Sequence, residues 1–293
     1  MYHFFSPAKI NLFLRIVSKQ SNGFHHLSSL FQAVSLGDTL TVSLDDKDLL
    51  TCSNSSLPLD GSNLILKAID LFRRKSGYRC AFKIHLTKRI PMQAGLGGGS
   101  SNAATMLWAC NEILNAGIST TQLQQWGAEL GSDVPFFFSE GTAHCTGRGE
   151  CVHSLPALSN ASISIIKPPY GLPTKDVFEH LNYKSVFSPD SIQQDLNNCI
   201  EGNIAYFNML EKAAFELRPQ LAALKNQLLQ AGFKAVIMSG SGSSLVCIGE
   251  NMHPLEIQEN HSLFPVSYIR RTSNAWYVEK SKLDLLRNAK RKK

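Results

Sequence analysis

The stretch Pro91-Met-Gln-Ala-Gly-Leu-Gly-Gly-Gly-Ser-Ser-Asn-Ala-Ala-Thr105 constrains this chain more than any other segment. Gly95, Gly97, Gly98 and Gly99 stand within five positions, interrupted only by Leu96, and two hydroxyls and an alanine-rich run follow. Backbone N–H groups approach a polyanion closely only where side chains do not intervene. A helix opening at Ser100 or Ser101 would aim its free amides and positive dipole end the same way. The segment predicts a phosphate cradle, with ATP or a similar phosphate ester as ligand. It is not a P-loop, because no lysine follows its glycines. It is also a poor dinucleotide fingerprint: Ser100 stands where a third Gly or Ala belongs, and the acidic residue expected about 20 residues on does not fit well.

The 293 residues are 43% hydrophobic, enough for one large domain or two ordinary ones. Lys290, Arg291, Lys292 and Lys293 supply four of the six net positive charges, so the rest of the chain stands near +2. That balance argues against nucleic acid as a partner, which would need basic residues spread over a face. Seven cysteines, with no C-x-x-C pair and no secretory leader before them, point to free thiols in a reducing cytoplasm. No apolar run approaches the length of a membrane span, and the first strand opens too early to leave room for a transit peptide. A soluble cytoplasmic protein is expected, with its oligomeric state left open.

Residues Phe4 to Val17 carry Ile10, Leu12, Leu14 and Ile16 on one face and read as a strand. Leu27 to Val34 and Asp38 to Leu44 read as two more, followed by a polar loop from Asp45 to Ser62. Asn63 suits the N-cap of an amphipathic helix over Leu64 to Ser76, and Cys80 to Leu86 reads as a strand feeding the glycine loop. Helices follow over Ser101 to Ala116 and over Thr121 to Leu130, the latter capped near Thr120 or Thr121. From Ile163 the pattern becomes that of a small split β-α-β sandwich: strands at Ile163 to Lys167, Ala235 to Met238, Leu245 to Ile248 and near Tyr268, with helices between them. The fold class is α+β, and a boundary between Val152 and Ser162 divides the chain into residues 1–156 and 157–293.

Three separated segments share one resemblance. Ser6-Pro7-Ala8-Lys9-Ile10-Asn11-Leu12, Pro91 to Thr105, and Met238-Ser239-Gly240-Ser241-Gly242-Ser243-Ser244 resemble, in order, the three motifs of the GHMP small-molecule kinases. Gly23-Phe24-His25 and Gly131-Ser132-Asp133-Val134-Pro135-Phe136-Phe137 are similar to the branch of that superfamily that phosphorylates a cytidine diphosphate ester of methylerythritol in non-mevalonate isoprenoid synthesis. The resemblance implies an N-terminal ATP-binding domain like the second domain of ribosomal protein S5 and a ferredoxin-like C-terminal domain. The family more often has a small residue where Gln93 stands and Tyr where Phe24 stands, and beyond Ile248 the match is poor.

Phosphoryl transfer to an alcohol requires the phosphates held, their charge offset and the hydroxyl proton removed. Asp133 sits where a polar loop meets an apolar stretch, a place that can suit a base but by itself better suits a turn before Pro135. The resemblance decides for the base. It makes Lys9 the cation that orients Asp133 and offsets charge on the reacting groups. It implies that Pro91, Gly95, Leu96, Gly97, Gly98, Gly99, Ser100, Ser101 and Asn102 hold the ATP phosphates, with a serine hydroxyl reaching Mg²⁺, and that Asn63 and Lys88 lie near the adenosine. The Mg²⁺ follows from the reaction class, since no carboxylate cluster announces a protein-held metal. Phe24 and Phe178 would stack on the cytosine, worth ~1–3 kcal/mol for a base on an aromatic face. His25 would bond the pyrimidine edge, Asn11 and Thr174 would touch the substrate, and Gly240, Ser241 and Gly242 would close the site from the second domain. A GHMP kinase of the homoserine or mevalonate type would not need Phe24, His25 and Phe178. A nucleic-acid-binding module on an S5-like fold would show steep salt dependence and no ATP consumption.

Overall fold

The computed structural model describes residues 1–21, 23–181, 189–253 and 259–279; the basic segment Lys290–Lys293 lies outside them. The first half runs β1 (Tyr2–Lys19), β2 (His25–Asp45), β3 (Leu49–Cys52), α1 (Leu64–Ser76), β4 (Ala81–Thr87), α2 (Gly98–Leu114), α3 (Thr120–Leu130), a 3-10 turn over Pro135–Phe138, β5 (Thr142–Gly147) and β6 (Cys151–Ser154). The second half runs β7 (Ile163–Lys167), α4 (Thr174–Glu179), α5 (Pro189–Ile200), β8 (Phe207–Asn208), α6 (Glu211–Leu217), α7 (Pro219–Gln230), β9 (Ala235–Met238), β10 (Leu245–Ile248) and β11 (Ser262–Val266).

The long β1/β2 ladder is the frame of the first sheet, whose order is β3-β4-β2-β1-β8, with β5 on the other half of β2 and β6 beyond it. Two strands were expected over Leu27 to Leu44, but β2 is continuous. The irregularity at Ser35-Leu36-Gly37 is a bulge against β1, where pairing steps from Pro7↔Gly37 to Ala8↔Val34. Because β1 runs unbroken alongside, the extra residues are absorbed in the ladder without a turn. β3 falls in the stretch expected to be loop; it is four residues long and holds on by pairing parallel to β4 with Leu50 buried. Asn63 caps α1, accepting from Ile65 N at 3.0 Å. Ser119 caps α3, accepting from Gln122 N at 3.2 Å, one position before the expected cap.

The second sheet has the order β11-β7-β10-β9, all neighbours antiparallel. This sheet has β7 and β10 at its centre, and α4 to α7 all fall between β7 and β9 in the chain. Its apolar face and that of β1 meet: Ala8, Ile10 and Leu12 share one buried cluster with Ile165, Ile237 and Val246. Strand alternation then sends Lys9 and Asn11 to the opposite face, toward the glycine loop.

The chain does not stay in its second half. β8 pairs parallel with β1 at Phe13 and Leu14, and after β11 the backbone returns to β2. There Ser35 N donates to Ser267 O at 2.9 Å, and Ile269 N donates to Ala33 O at 3.0 Å. Trp276 is buried in the first core, stacked on Trp108 at 5.1 Å and donating to Phe5 O at 2.8 Å. Arg271 lies beside both indoles, and its guanidinium donates to the carbonyls of Phe138 and Ser139.

His144 on β5 sets an acid limit on this packing. It is buried, with Nε2 2.8 Å from Ser28 Oγ, and burial, with His153 nearby, pulls its pKa from 6.5 down to about 4. Above pH 6.5 the group contributes nothing to pH dependence. Below it the unfolded chain takes up a proton that the folded protein refuses, so stability is expected to fall by about 3 kcal/mol by pH 4 through this residue. Denaturant melts at pH 7 and pH 4 should show a smaller difference for His144→Gln than for wild type; equal differences would remove His144 as the cause.

Candidate active site

Between the two sheets the glycine loop closes over a cavity of about 1100 Å³. This exceeds the ~300–1,000 Å³ of a site for one small ligand and leaves room for two substrates side by side. α2 begins at Gly98, two or three residues before the expected start, with Gly97 as N-cap in the left-handed region (φ 67°). No side chain caps it and no acidic residue lies in its first turn. Helix geometry therefore leaves the amides of Gly98, Gly99 and Ser100 without intrahelical acceptors, facing the cavity they line. A Cβ at Gly97 would stand 2.9 Å from Lys9 Cγ, so the lysine stem crosses the loop where a glycine leaves room for it.

Lys9 is buried, and its Nζ is placed by three neighbours. Asn11 Oδ1 accepts from it at 2.8 Å, Asp133 Oδ2 lies at 3.4 Å, and the Phe31 ring centroid at 4.3 Å. Asn11 is fixed in turn: Nδ2 donates to Ser29 Oγ at 2.8 Å, and its backbone N donates to Ser239 Oγ at 3.3 Å. Ser239 Oγ donates to Gly95 O at 2.9 Å, so one hydroxyl from the second half joins the β1 motif to the glycine loop. Asp133 stands on the turn between α3 and Pro135, its side chain 31% exposed to the cavity against 4% for Lys9. A half-open carboxylate beside a buried ammonium is an arrangement that can take a proton from a hydroxyl docked against it.

At the other end of the cavity Phe24 is exposed, and His25 packs 5.4 Å from the Phe178 ring. Burial, with Lys19 nearby, lowers the His25 pKa below 6.5, so the ring is neutral at neutral pH. Its buried Nε2 has no hydrogen-bond partner among the described residues, which leaves a polar atom available at the cavity wall. Thr174 Oγ1 lies 2.8 Å from Ser241 Oγ, and Gly240 lies close to Gly95 and Asn11.

Most of the expected residues line this cavity, and several are occupied differently from expectation. Ser101 does not line it: its buried Oγ pairs with Ser6 Oγ at 2.8 Å. Starting α2 early turns Ser101 to the core and leaves Ser100 at the mouth. Gly242 also lies outside the lining, behind Ser241. Asn63 reaches the wall, but its side chain caps α1 and donates to Pro58 O at 2.7 Å. Lys88 and Asn102 reach it while bound to Asp38, a residue sequence reasoning missed. Asp38 is fully buried and accepts from Lys88 Nζ (2.6 Å), Asn102 Nδ2 (2.9 Å), Arg89 N (2.7 Å) and Ile90 N (2.8 Å), which anchors the approach to the glycine loop. Gln93 adopts φ 50° and lies against Gly171, which narrows the mouth at a cost of about 1 kcal/mol for a left-handed non-glycine residue. Among the described residues no three His, Cys, Asp or Glu side chains gather to hold a metal, so a divalent ion here would rest on phosphate oxygens with a hydroxyl such as that of Ser100.

Two sheets joined through a glycine loop, with a Lys–Asp pair at the seam, define a small-molecule kinase site, and comparison gives the same class. The profile for the GHMP kinases N terminal domain matches residues 63–141 and that for the GHMP kinases C terminal matches residues 192–263. A protein of Protochlamydia amoebophila called 4-diphosphocytidyl-2-C-methyl-D-erythritol kinase is 53% identical over 279 residues, covering 95% of this chain and 94% of the relative. The chloroplastic/chromoplastic enzyme of that name from Solanum lycopersicum is 43% identical over 94% of this chain and 72% of its own length. The chain belongs to the GHMP kinases, and within them to the 4-diphosphocytidyl-2-C-methyl-D-erythritol kinase family. A crystal structure of 4-(cytidine 5'-diphospho)-2C-methyl-D-erythritol kinase superposes with a TM-score of 0.77 at 29% identity, covering 92% of this chain and 99% of that one. Among the described residues no helix is long and apolar enough to cross a membrane.

Proposed function

We propose that this chain transfers the γ-phosphoryl group of ATP to the 2-hydroxyl of 4-diphosphocytidyl-2-C-methyl-D-erythritol, releasing ADP and the 2-phosphate, as a cytoplasmic enzyme of non-mevalonate isoprenoid synthesis. The observation that carries the reading is the Lys9–Asp133 pair, 3.4 Å apart, between an uncapped helix start and the Phe24, His25 and Phe178 wall. In this reading Asp133 accepts the hydroxyl proton as the oxygen attacks the γ-phosphorus and the bond to the ADP oxygen breaks. Lys9 has three donors, of which Asn11 and Asp133 take two; the third faces the developing charge. The amides of Gly98, Gly99 and Ser100 hold the phosphates, and Mg²⁺ supplies charge neutralisation when bound with the nucleotide. Residues 1–156 carry the nucleotide and 157–293 supply the Ser239 to Ser241 turn and Phe178.

A panel of alcohols tests this. ATP consumption is expected with the cytidine diphosphate ester and not with homoserine or mevalonate, and CDP should compete with the ester. Turnover of homoserine or mevalonate without cytidine competition would replace this reading with the other kinase type. Lys9→Met is expected to lower kcat by about 100-fold or more, as loss of one preorganised charge contact does, while ATP binding measured by calorimetry stays within a few-fold.

A further inference from the structure

Arg148 is the one arginine that lines the cavity among the described residues, and it has no part in the reaction proposed above. It sits at the tip of the β5/β6 hairpin between two glycines in the left-handed region, Gly147 (φ 69°) and Gly149 (φ 119°). That tip abuts the turn of Asp133, since a Cβ at Gly149 would stand 3.6 Å from both Asp133 Oδ1 and Ser132 O. The guanidinium itself lies 5.3 Å from the Phe24 ring centroid. Arg148 therefore bridges the two ends of the acceptor half of the site.

Its orientation is built. Glu150 accepts from the Arg148 backbone N at 2.6 Å and from Nε at 3.3 Å, which holds the fork by its stem side. The terminal nitrogens Nη1 and Nη2 have no protein acceptor among the described residues. The other cavity cations near carboxylates are already matched: Lys9 with Asp133, Lys88 with Asp38 and Lys175 with Glu179. A planar fork with both outer nitrogens unspent is the side chain best suited to a phosphate group.

We propose that Arg148 is a substrate-binding residue that holds the diphosphate of the acceptor, a nucleoside diphosphate ester. The inference rests on the proposed function. If the base packs at Phe24, His25 and Phe178 and the reacting hydroxyl docks at Asp133, the diphosphate joining them crosses the space between, which is where Arg148 reaches. Lys19, which lines the same corner, adds a second positive charge there.

The test compares wild type with Arg148→Met and Arg148→Lys, using the cytidine diphosphate ester as substrate and cytidine, CMP and CDP as inhibitors. Arg148 is exposed at a hairpin tip, so both variants should melt like wild type. Arg148→Met is expected to raise KM for the ester roughly 10–100-fold, the range for a charge-assisted hydrogen bond, with kcat and the KM for ATP within about twofold. CDP inhibition should weaken in the same proportion while cytidine inhibition holds, and Arg148→Lys should recover part of the loss. An unchanged KM overturns the proposal. So does a rise in the KM for ATP, which would put the fork on the nucleotide donor, or an equal loss for cytidine and CDP, which would make Arg148 a prop for the Phe24 ring. The wild-type arm separates the two readings: turnover of the ester by wild type bears on the substrate, and only the variants bear on Arg148.

Discussion

Asp133→Asn is expected to lower kcat by about 10²–10⁴-fold, the usual worth of a positioned general base, with nucleotide binding and folding nearly unchanged. The amide fills the same space and keeps a hydrogen-bond acceptor toward Lys9 Nζ, but it cannot receive the hydroxyl proton. Lys9 keeps Asn11 Oδ1 at 2.8 Å, so the buried ammonium is not stranded. The lost ion pair involves a carboxylate 31% exposed and should cost less than about 1 kcal/mol. The measurements are kcat and KM for both substrates, ATP affinity by calorimetry, and a thermal melt. Asp133→Ala should behave alike in turnover. If either variant turns over within a few-fold of wild type, Asp133 is not the base. If ATP affinity collapses with kcat, its role lies on the nucleotide side.

Gly95→Ala is expected to be the most damaging conservative change in the molecule. Gly95 has φ 72°, and a Cβ there would lie 1.9 Å from Ser239 O and 3.2 Å from Gly242 N. Both obstacles are backbone, so no rotamer change relieves them. Strain at a left-handed alanine and an overpacked seam together should cost about 2–4 kcal/mol. Activity should fall further than stability explains. Moving the Ser239 turn breaks the Ser239 Oγ bond to Gly95 O and disturbs the bond from Asn11 N, which registers the acceptor side against the glycine loop. Gly99→Ala is the control: its nearest neighbour would be Leu64 Cδ1 at 3.5 Å, so denaturation should show a change below about 1 kcal/mol. Similar melts for the two variants would refute the steric account of the seam.

These residues mark what was legible in the chain and what was not. Asp133 was singled out by the resemblance, whereas the places of Lys9, Asn11 and the glycine run at the cavity could be expected because each stands in a local pattern whose neighbours are equally constrained. The two-sheet plan was legible for the same reason, through strand alternation and helical spacing. Asp38 was not, because its role depends on four donors from two later segments, and one aspartate after Gly37 carries no local mark of burial. Ser239 and Arg148 are likewise defined by what they meet across the fold. That Ser100 reaches the cavity and Ser101 does not, though both were expected there, has a geometric origin: successive residues of a helix are turned by about 100°, so one hydroxyl lies on the wall and the next in the core. β2 was divided by expectation because a Gly at position 37 reads as a turn, whereas the β1 ladder holds both halves in line.

The return of residues 267–279 to the first sheet bears on how the molecule comes to exist. Trp276 and Arg271 complete the wall that holds Trp108, Phe138 and Ser139, directly after the turn of Asp133. During synthesis, therefore, the first half emerges long before the segment that finishes its core, and its aromatic surface waits for residues 267–279. The two halves should gain their final stability together in one transition, and a fragment cut at residue 156 should expose Trp108 and bind hydrophobic dyes. Assembly of the turn that carries Asp133 is then expected to follow the arrival of residues 267–279.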